Sequence, residues 1–192
     1  MAQSEQACFP PESGAGEYSA EERRMLLDLA HRSIEAKLRG EAVQAIAPNE
    51  HLAEARGAFT TLHLHGKLRG CIGYVLPMLP LMSTVVETAA AAAFDDPRFN
   101  PVTPDEAPDL KIEISVLTVP KPIEPQDVEI GRHGLIVSQH GRRGLLLPQV
   151  PLEWGWDRDT FLVQTCIKAG LPADAWHHGA KLEAFSAEVF GE

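Results

Sequence analysis

Apolar positions recur along this chain in two rhythms, one helical and one extended, and their order sets out helices interleaved with hairpins. Leu26, Leu27, Ala30, Ile34 and Leu38 fall on one stripe at helical spacing. Ser19 and Glu22 have capping-box spacing at its start, and Gly40 stands where a left-handed residue ends it. Residues 59–64 and 68–74 read as two strands turning at His65-Gly66. Pro77 and Pro80 then open an alanine-rich helix to Phe94, which Asp95-Asp96-Pro97 stops. Farther on, Leu110, Ile112, Ile114 and Val116 alternate with Lys111, Glu113, Ser115 and Leu117, the mark of a strand buried on one face. Residues 134–138 and 144–147 make a second hairpin around His140-Gly141-Arg142-Arg143. Asp157 is placed to cap a helix through Ala169, with Gly170 at its left-handed end, and residues 182–190 form a last extended segment.

Helix-rich stretches thus alternate with antiparallel hairpins rather than with single parallel strands, which predicts an α+β fold. The expectation is two lobes on mostly antiparallel sheets with packed helices and a cleft between them. Residues 1–18, rich in Gln, Glu, Ser, Gly and Pro, read as a disordered tail carrying Cys8. Residues 19–192 contain no repeat or low-complexity tract and read as a single two-lobed domain.

Charge narrows the partners. Seventeen basic against 27 acidic side chains leave a formal charge of −10, which repels phosphate backbones and argues against nucleic acid. The opening residues lack the basic and apolar regions of a signal peptide, and the most apolar stretch, 79–94, is broken by Ser83, Thr84, Glu87 and Thr88. Three cysteines without a CxxC argue against a disulfide framework. A cytoplasmic protein that does not bind membrane is expected.

Candidate chemistry gathers on two strands. Arg69 and Cys71 are two apart, so strict alternation gives them one face, with Leu68 and Ile72 on the other. Glu113 and Ser115 oppose Ile112 and Ile114 in the same way. If both strands share a sheet, the aliphatic faces go to the core and the four polar groups meet outside. Cys71 would then act as nucleophile and Glu113 as general acid or base, with Arg69, roughly 7 Å along the strand, as anion clamp and thiolate stabiliser. Gly70 and Gly73 would open backbone amides to a ligand; equally, they would mark a bulge or a tight helix contact around a small buried thiol. Arg98 is a candidate for anion recognition or an exposed residue after a helix, and Gln149 a ligand contact or a turn glutamine. A two-residue turn puts Leu62 and Leu64 on the Cys71 face and turns His63 away, which argues against a Cys–His pair. Neighbouring His177-His178, like His63 and His65, lack a third ligand at diagnostic spacing, so no metal is expected. Cys166 and the three tryptophans read as core or rim, and no phosphate loop or dinucleotide fingerprint implies a cofactor.

From Gly57-Ala58-Phe59-Thr60-Thr61-Leu62 and Leu68-Arg69-Gly70-Cys71-Ile72-Gly73 onward, the chain resembles the AMMECR family, whose bacterial members are called AmmeMemoRadiSam system protein A. Agreement continues through Asp96-Pro97-Arg98-Phe99, Ile112-Glu113-Ile114-Ser115, Leu146-Leu147-Pro148-Gln149-Val150 and Cys166-Ile167-Lys168-Ala169-Gly170-Leu171, and covers about residues 19–192. The resemblance implies a two-lobed α+β fold with a cleft, a cytosolic setting, and the hexapeptide from Leu68 as the functional element. It also implies partnership with a Memo-like protein and a radical-SAM protein. It carries no established reaction. Two readings follow: a thiol-dependent enzyme acting through Cys71 on a small anionic or acyl substrate, or a non-catalytic ligand-binding or adaptor module.

Overall fold

Hydrophobic periodicity and cap chemistry become the elements of a computed structural model that describes residues 16–192. Most of the expected tail, Cys8 included, lies outside the described residues. Tyr18, read with that tail, is instead buried: its ring stacks on His51 at 4.6 Å between centroids, and its amide donates to the Glu188 carboxylate at 3.3 Å.

Helix α1 (Ala20–Leu38) begins with the predicted capping box, Glu22 N donating to Ser19 Oγ at 3.2 Å and Ser19 N to Glu22 Oε2 at 2.9 Å. Gly40 follows its end with φ of 70°. A short helix α2 (Glu50–Ala53), capped by Asn49, leads into strands β1 (Ala58–Leu64) and β2 (Lys67–Tyr74). Their turn has positive φ at both His65 (52°) and Gly66 (77°), the left-handed pair that matches strand twist in a two-residue hairpin. Helix α3 (Leu81–Phe94) and strand β3 (Leu110–Leu117) complete this stretch.

The chain then forms β4 (Lys121–Pro122), β5 (Gly134–Gln139), β6 (Arg142–Leu146), α4 (Val150–Trp154), α5 (Arg158–Lys168), β7 (Lys181–Phe185) and β8 (Ala187–Gly191). Asp157 caps α5 by accepting from Thr160 N at 2.8 Å, and Gly170 has φ of 69°. The segment expected to be one last strand is two. Ser186 separates them, its amide donating to Thr118 Oγ1 at 2.9 Å, and β7 and β8 join different sheets.

Two units result. The first comprises residues through Leu117 together with Glu188–Glu192; the second is Thr118–Ala187. In the first, the sheet order is β2-β1-β3-β8, and α1 and α3 pack over one face around Leu26, Ile34, Leu62, Val85, Ala89, Ile112 and Ile114. In the second, the order is β4-β7-β5-β6, and α5 packs around Leu135, Val137, Phe161, Leu162 and Cys166. Cys166 is fully buried there, and burial pushes its thiol above the ordinary range. The α+β class and the antiparallel sheets follow the sequence expectation.

Candidate functional site

A single inserted residue decides which side chains meet. Leu64 pairs with Lys67 and His63 with Leu68, but Leu62 pairs with Gly70. Arg69 is the extra residue of a bulge, and from there the alternation of β2 is reversed relative to β1. Cys71 consequently lies opposite Thr61, and Thr61 lies opposite Glu113 on β3. These three form a row across three strands, and the Thr61 hydroxyl donates to Cys71 Sγ at 3.3 Å. Phe59 heads the next row, opposite both Gly73 and Ser115. The alternate residues Thr60, Leu62, Ile112 and Ile114 are buried on the helix-covered face, where Thr60 bonds Thr88 at 2.8 Å.

The bulge reverses the faces expected for Arg69 and His63. Arg69 does not share the alternation of Cys71. Its guanidinium reaches the segment after α3, donating to Glu106 Oε1 at 2.9 Å, Asn100 O at 2.9 Å and Pro101 O at 3.3 Å. Thus engaged and 14% exposed, it secures a loop rather than standing beside the thiol as an anion clamp. Glu106 in turn is pulled down to about 2 by Arg69 and the Thr103 amide. Gly70 stands in the tight helix contact of its second reading, because a Cβ there would run into the carbonyl oxygen of Ala92 on α3. At Gly73 the Phe59 ring lies where a side chain would be, which fills the side-chain space and leaves the outward backbone groups untouched. His63, expected to face away, falls on the face of Thr61, Cys71 and Glu113, being two residues from Thr61 on β1.

Asp96 and Arg98 have a structural task that the sequence did not disclose. β2 is an edge strand, and unpaired edge groups need a partner. The Cys71 amide donates to Asp96 Oδ2 at 2.9 Å, and the Cys71 carbonyl accepts from Arg98 Nη2 at 3.3 Å. Arg98 also grips Asp96 through Nε (3.0 Å) and Nη2 (2.7 Å). Arg98, then the Cys71 and Arg98 amides, hold the Asp96 carboxyl down to about 2. The guanidinium proposed for an external anion is therefore occupied by an internal one.

Glu113 stands apart from these paired carboxylates. Burial raises its pKa, opposed by the charge of His63, and its Oε1 is buried without a hydrogen-bond partner among the described residues. Ser115, fully buried, is in the same position through Oγ. Gln149 belongs to the second unit, where it precedes α4 and has a buried Oε1 without a partner among the described residues. The first unit thus brings together Cys71, Thr61, Glu113 and His63. Among the described residues no three His, Cys, Asp or Glu side chains are grouped to hold a metal ion, and no helix is long and apolar enough to cross a membrane.

A carboxyl raised by folding stabilises the protein below the ordinary carboxylate range and loses that contribution as pH rises through its folded pKa. Glu113→Gln should therefore raise the urea midpoint at neutral pH, and the gain should vanish on acidification. An unchanged midpoint at both pH values would show that Glu113 bears no burial penalty.

The fold and site define an α+β protein of two antiparallel-sheet units, with a thiol on a bulged, carboxylate-closed edge strand. The chain belongs to the AMMECR1 family, whose model matches residues 27–190. A protein of Methanothermobacter thermautotrophicus is 44% identical over 184 residues, covering 91% of this chain and 96% of that one. One of Thermococcus kodakarensis is 45% identical over 183 residues, covering 87% and 88%. The crystal structure of an uncharacterised Pyrococcus horikoshii protein, 43% identical, matches with a TM-score of 0.67 over 88% of this chain and 90% of that one.

Proposed function

We propose that the protein is a thiol-dependent enzyme acting on a small acyl substrate, with Cys71 as nucleophile and Glu113 as the group that gives and takes the proton. The supporting observation is the row Cys71–Thr61–Glu113 across three adjacent strands. A hydroxyl donating to sulfur favours the thiolate. Burial shifts the Glu113 carboxyl toward its protonated form, the direction a proton donor requires. The strands carrying sulfur and carboxyl lie two strand spacings apart, about 10 Å, with the buried Thr61 between them, so a substrate must reach both from the flanks of that row. Thiolate attack on the acyl carbon forms a thioester while the leaving group departs with the Glu113 proton. Glu113 then takes a proton from water, whose oxygen attacks the thioester and releases the thiolate. An acyl group is favoured over an anion because Arg69 and Arg98 are each held by a carboxylate. The site would work in the cytoplasm, the setting that the family resemblance implies.

The second reading is a non-catalytic ligand-binding or adaptor module acting with a Memo-like protein and a radical-SAM protein. It is favoured by the use of Arg69, Gly70 and Gly73 in packing and loop anchoring.

p-Nitrophenyl acetate separates the two. The enzyme reading expects a burst of nitrophenol and one acetyl group on Cys71, lost in Cys71→Ser and Cys71→Ala with the fold intact. Glu113→Gln should slow hydrolysis of the acetyl-Cys71 thioester by about a hundredfold, since nitrophenolate leaves without a proton while the attacking water needs a base. Iodoacetamide should modify Cys71 before Cys166 and Cys8. Absence of acetyl from Cys71 would remove the enzyme reading and leave the module.

A further inference from the structure

The edge of the first sheet is closed at one residue of β2 and open at the next. Because the Cys71 amide and carbonyl are engaged by Asp96 and Arg98, the Thr61–Cys71 pair exchanges no ladder hydrogen bonds. In an antiparallel ladder such pairs alternate, so the next is Phe59–Gly73. The N–H and C=O of Gly73 therefore point off the edge, and neither bonds turn or loop backbone among the described residues. An apolar groove of about 560 Å³ continues from there, formed by Val75, Leu76, Leu79 and the exposed Tyr74 and Met78. Met78 is 76% exposed and Tyr74 39%, an unusual concentration of apolar surface beside an open strand edge. Among the described residues, the one charged side chain lining the groove is Glu87, exposed on α3.

We propose that this edge binds an extended peptide segment of a basic partner protein, which pairs with Gly73 as an added strand, sets an apolar side chain in the groove and points a lysine or arginine at Glu87. The two backbone groups of Gly73 supply the paired donor and acceptor that strand addition requires. Asp96 and Arg98 occupy the preceding edge position, so the added strand cannot extend over Cys71, and its register is fixed. Charge selects the occupant. A second copy would bring another chain of net charge −10 against this carboxylate, whereas a basic segment is attracted to it. The proposal is independent of any reaction at Cys71.

The test is an amide-resolved NMR titration of the isotope-labelled full chain with acetylated, amidated peptides. One alternates valine and threonine around a lysine, one carries glutamate instead, and one is the lysine peptide N-methylated at its central residue. The lysine peptide should shift the Gly73 amide and slow its hydrogen exchange, and N-methylation should weaken binding by about tenfold or more. Glu87→Lys should reverse the preference between the lysine and glutamate peptides. A Gly73 amide unmoved by any peptide at millimolar concentration would overturn the proposal. So would equal binding of parent and N-methylated peptides, an unchanged preference in Glu87→Lys, or a Gly73 shift that depends on protein concentration alone, which would assign the edge to a second copy.

Discussion

Gly70→Ala is expected to lower the thermal midpoint by about 10 °C. A Cβ at this position runs into the backbone carbonyl oxygen of Ala92, with the Ala92 carbonyl carbon at 3.0 Å. Backbone stands on both sides of the clash, so no rotamer relieves it, and β2 must part from α3. Overpacking of that kind costs about 3 kcal/mol, and in a chain of this size each kcal/mol moves the midpoint by roughly 2–4 °C. Lys67→Ala, exposed on the same strand, serves as control and should stay within about 0.5 kcal/mol of the parent. A Gly70→Ala protein melting with the parent would mean that the helix does not approach the bulge this closely.

Asp96→Asn should destabilise the protein by about 2 kcal/mol at neutral pH, and the penalty should shrink in acid. Folding lowers this carboxyl from 3.8 to about 2. Its contribution is therefore complete above the ordinary carboxylate range and is lost as pH falls through about 2. Arg98 is 54% exposed, so water screens part of the ion pair. The carboxylate itself is 2% exposed and also receives the Cys71 and Arg98 amides. Denaturant titrations of parent and variant across the acid range give the magnitude. Hydrogen exchange gives the location, since the Cys71 amide should exchange faster in the variant while amides of the second unit remain unchanged. A uniform acceleration would argue against a local closure of the β2 edge.

Local chemistry was legible in the sequence, but the register across strands was not. Ser19 and Glu22, Gly40, His65-Gly66, Asp157 and Gly170 each act through neighbours a few positions away, so their spacing states their role. The alternation of β3 likewise placed Glu113 opposite Ile112 and Ile114. β2 was different, because a two-residue turn and strict alternation cannot reveal an extra residue. A signal was nevertheless present. The turn register alone puts Leu62 on the face of Arg69 and Cys71, while Ile72 and the aliphatic row of β3 require Leu62 on the core face. One inserted residue before Ile72 reconciles them, and Gly70 marks the place. Missing it brought Arg69 to the thiol and turned His63 away. Thr61 was passed over because its nearest polar neighbour is set by pairing rather than by spacing. Asp96 lies 25 positions from the amide it holds, beyond the reach of any local pattern.

The return of the chain to its first sheet orders events in time. Glu188 holds the Tyr18 amide and the Arg23 side chain, partners 170 and 165 positions earlier. During synthesis, α1 and the β1–β2 hairpin emerge long before that carboxylate exists. The first unit must wait, with its last strand position vacant, until all of Thr118–Ala187 has been made. Folding of the second unit can thus precede completion of the first, and a ribosome stalled within it would hold a nascent chain whose earliest helix still lacks its acidic anchor.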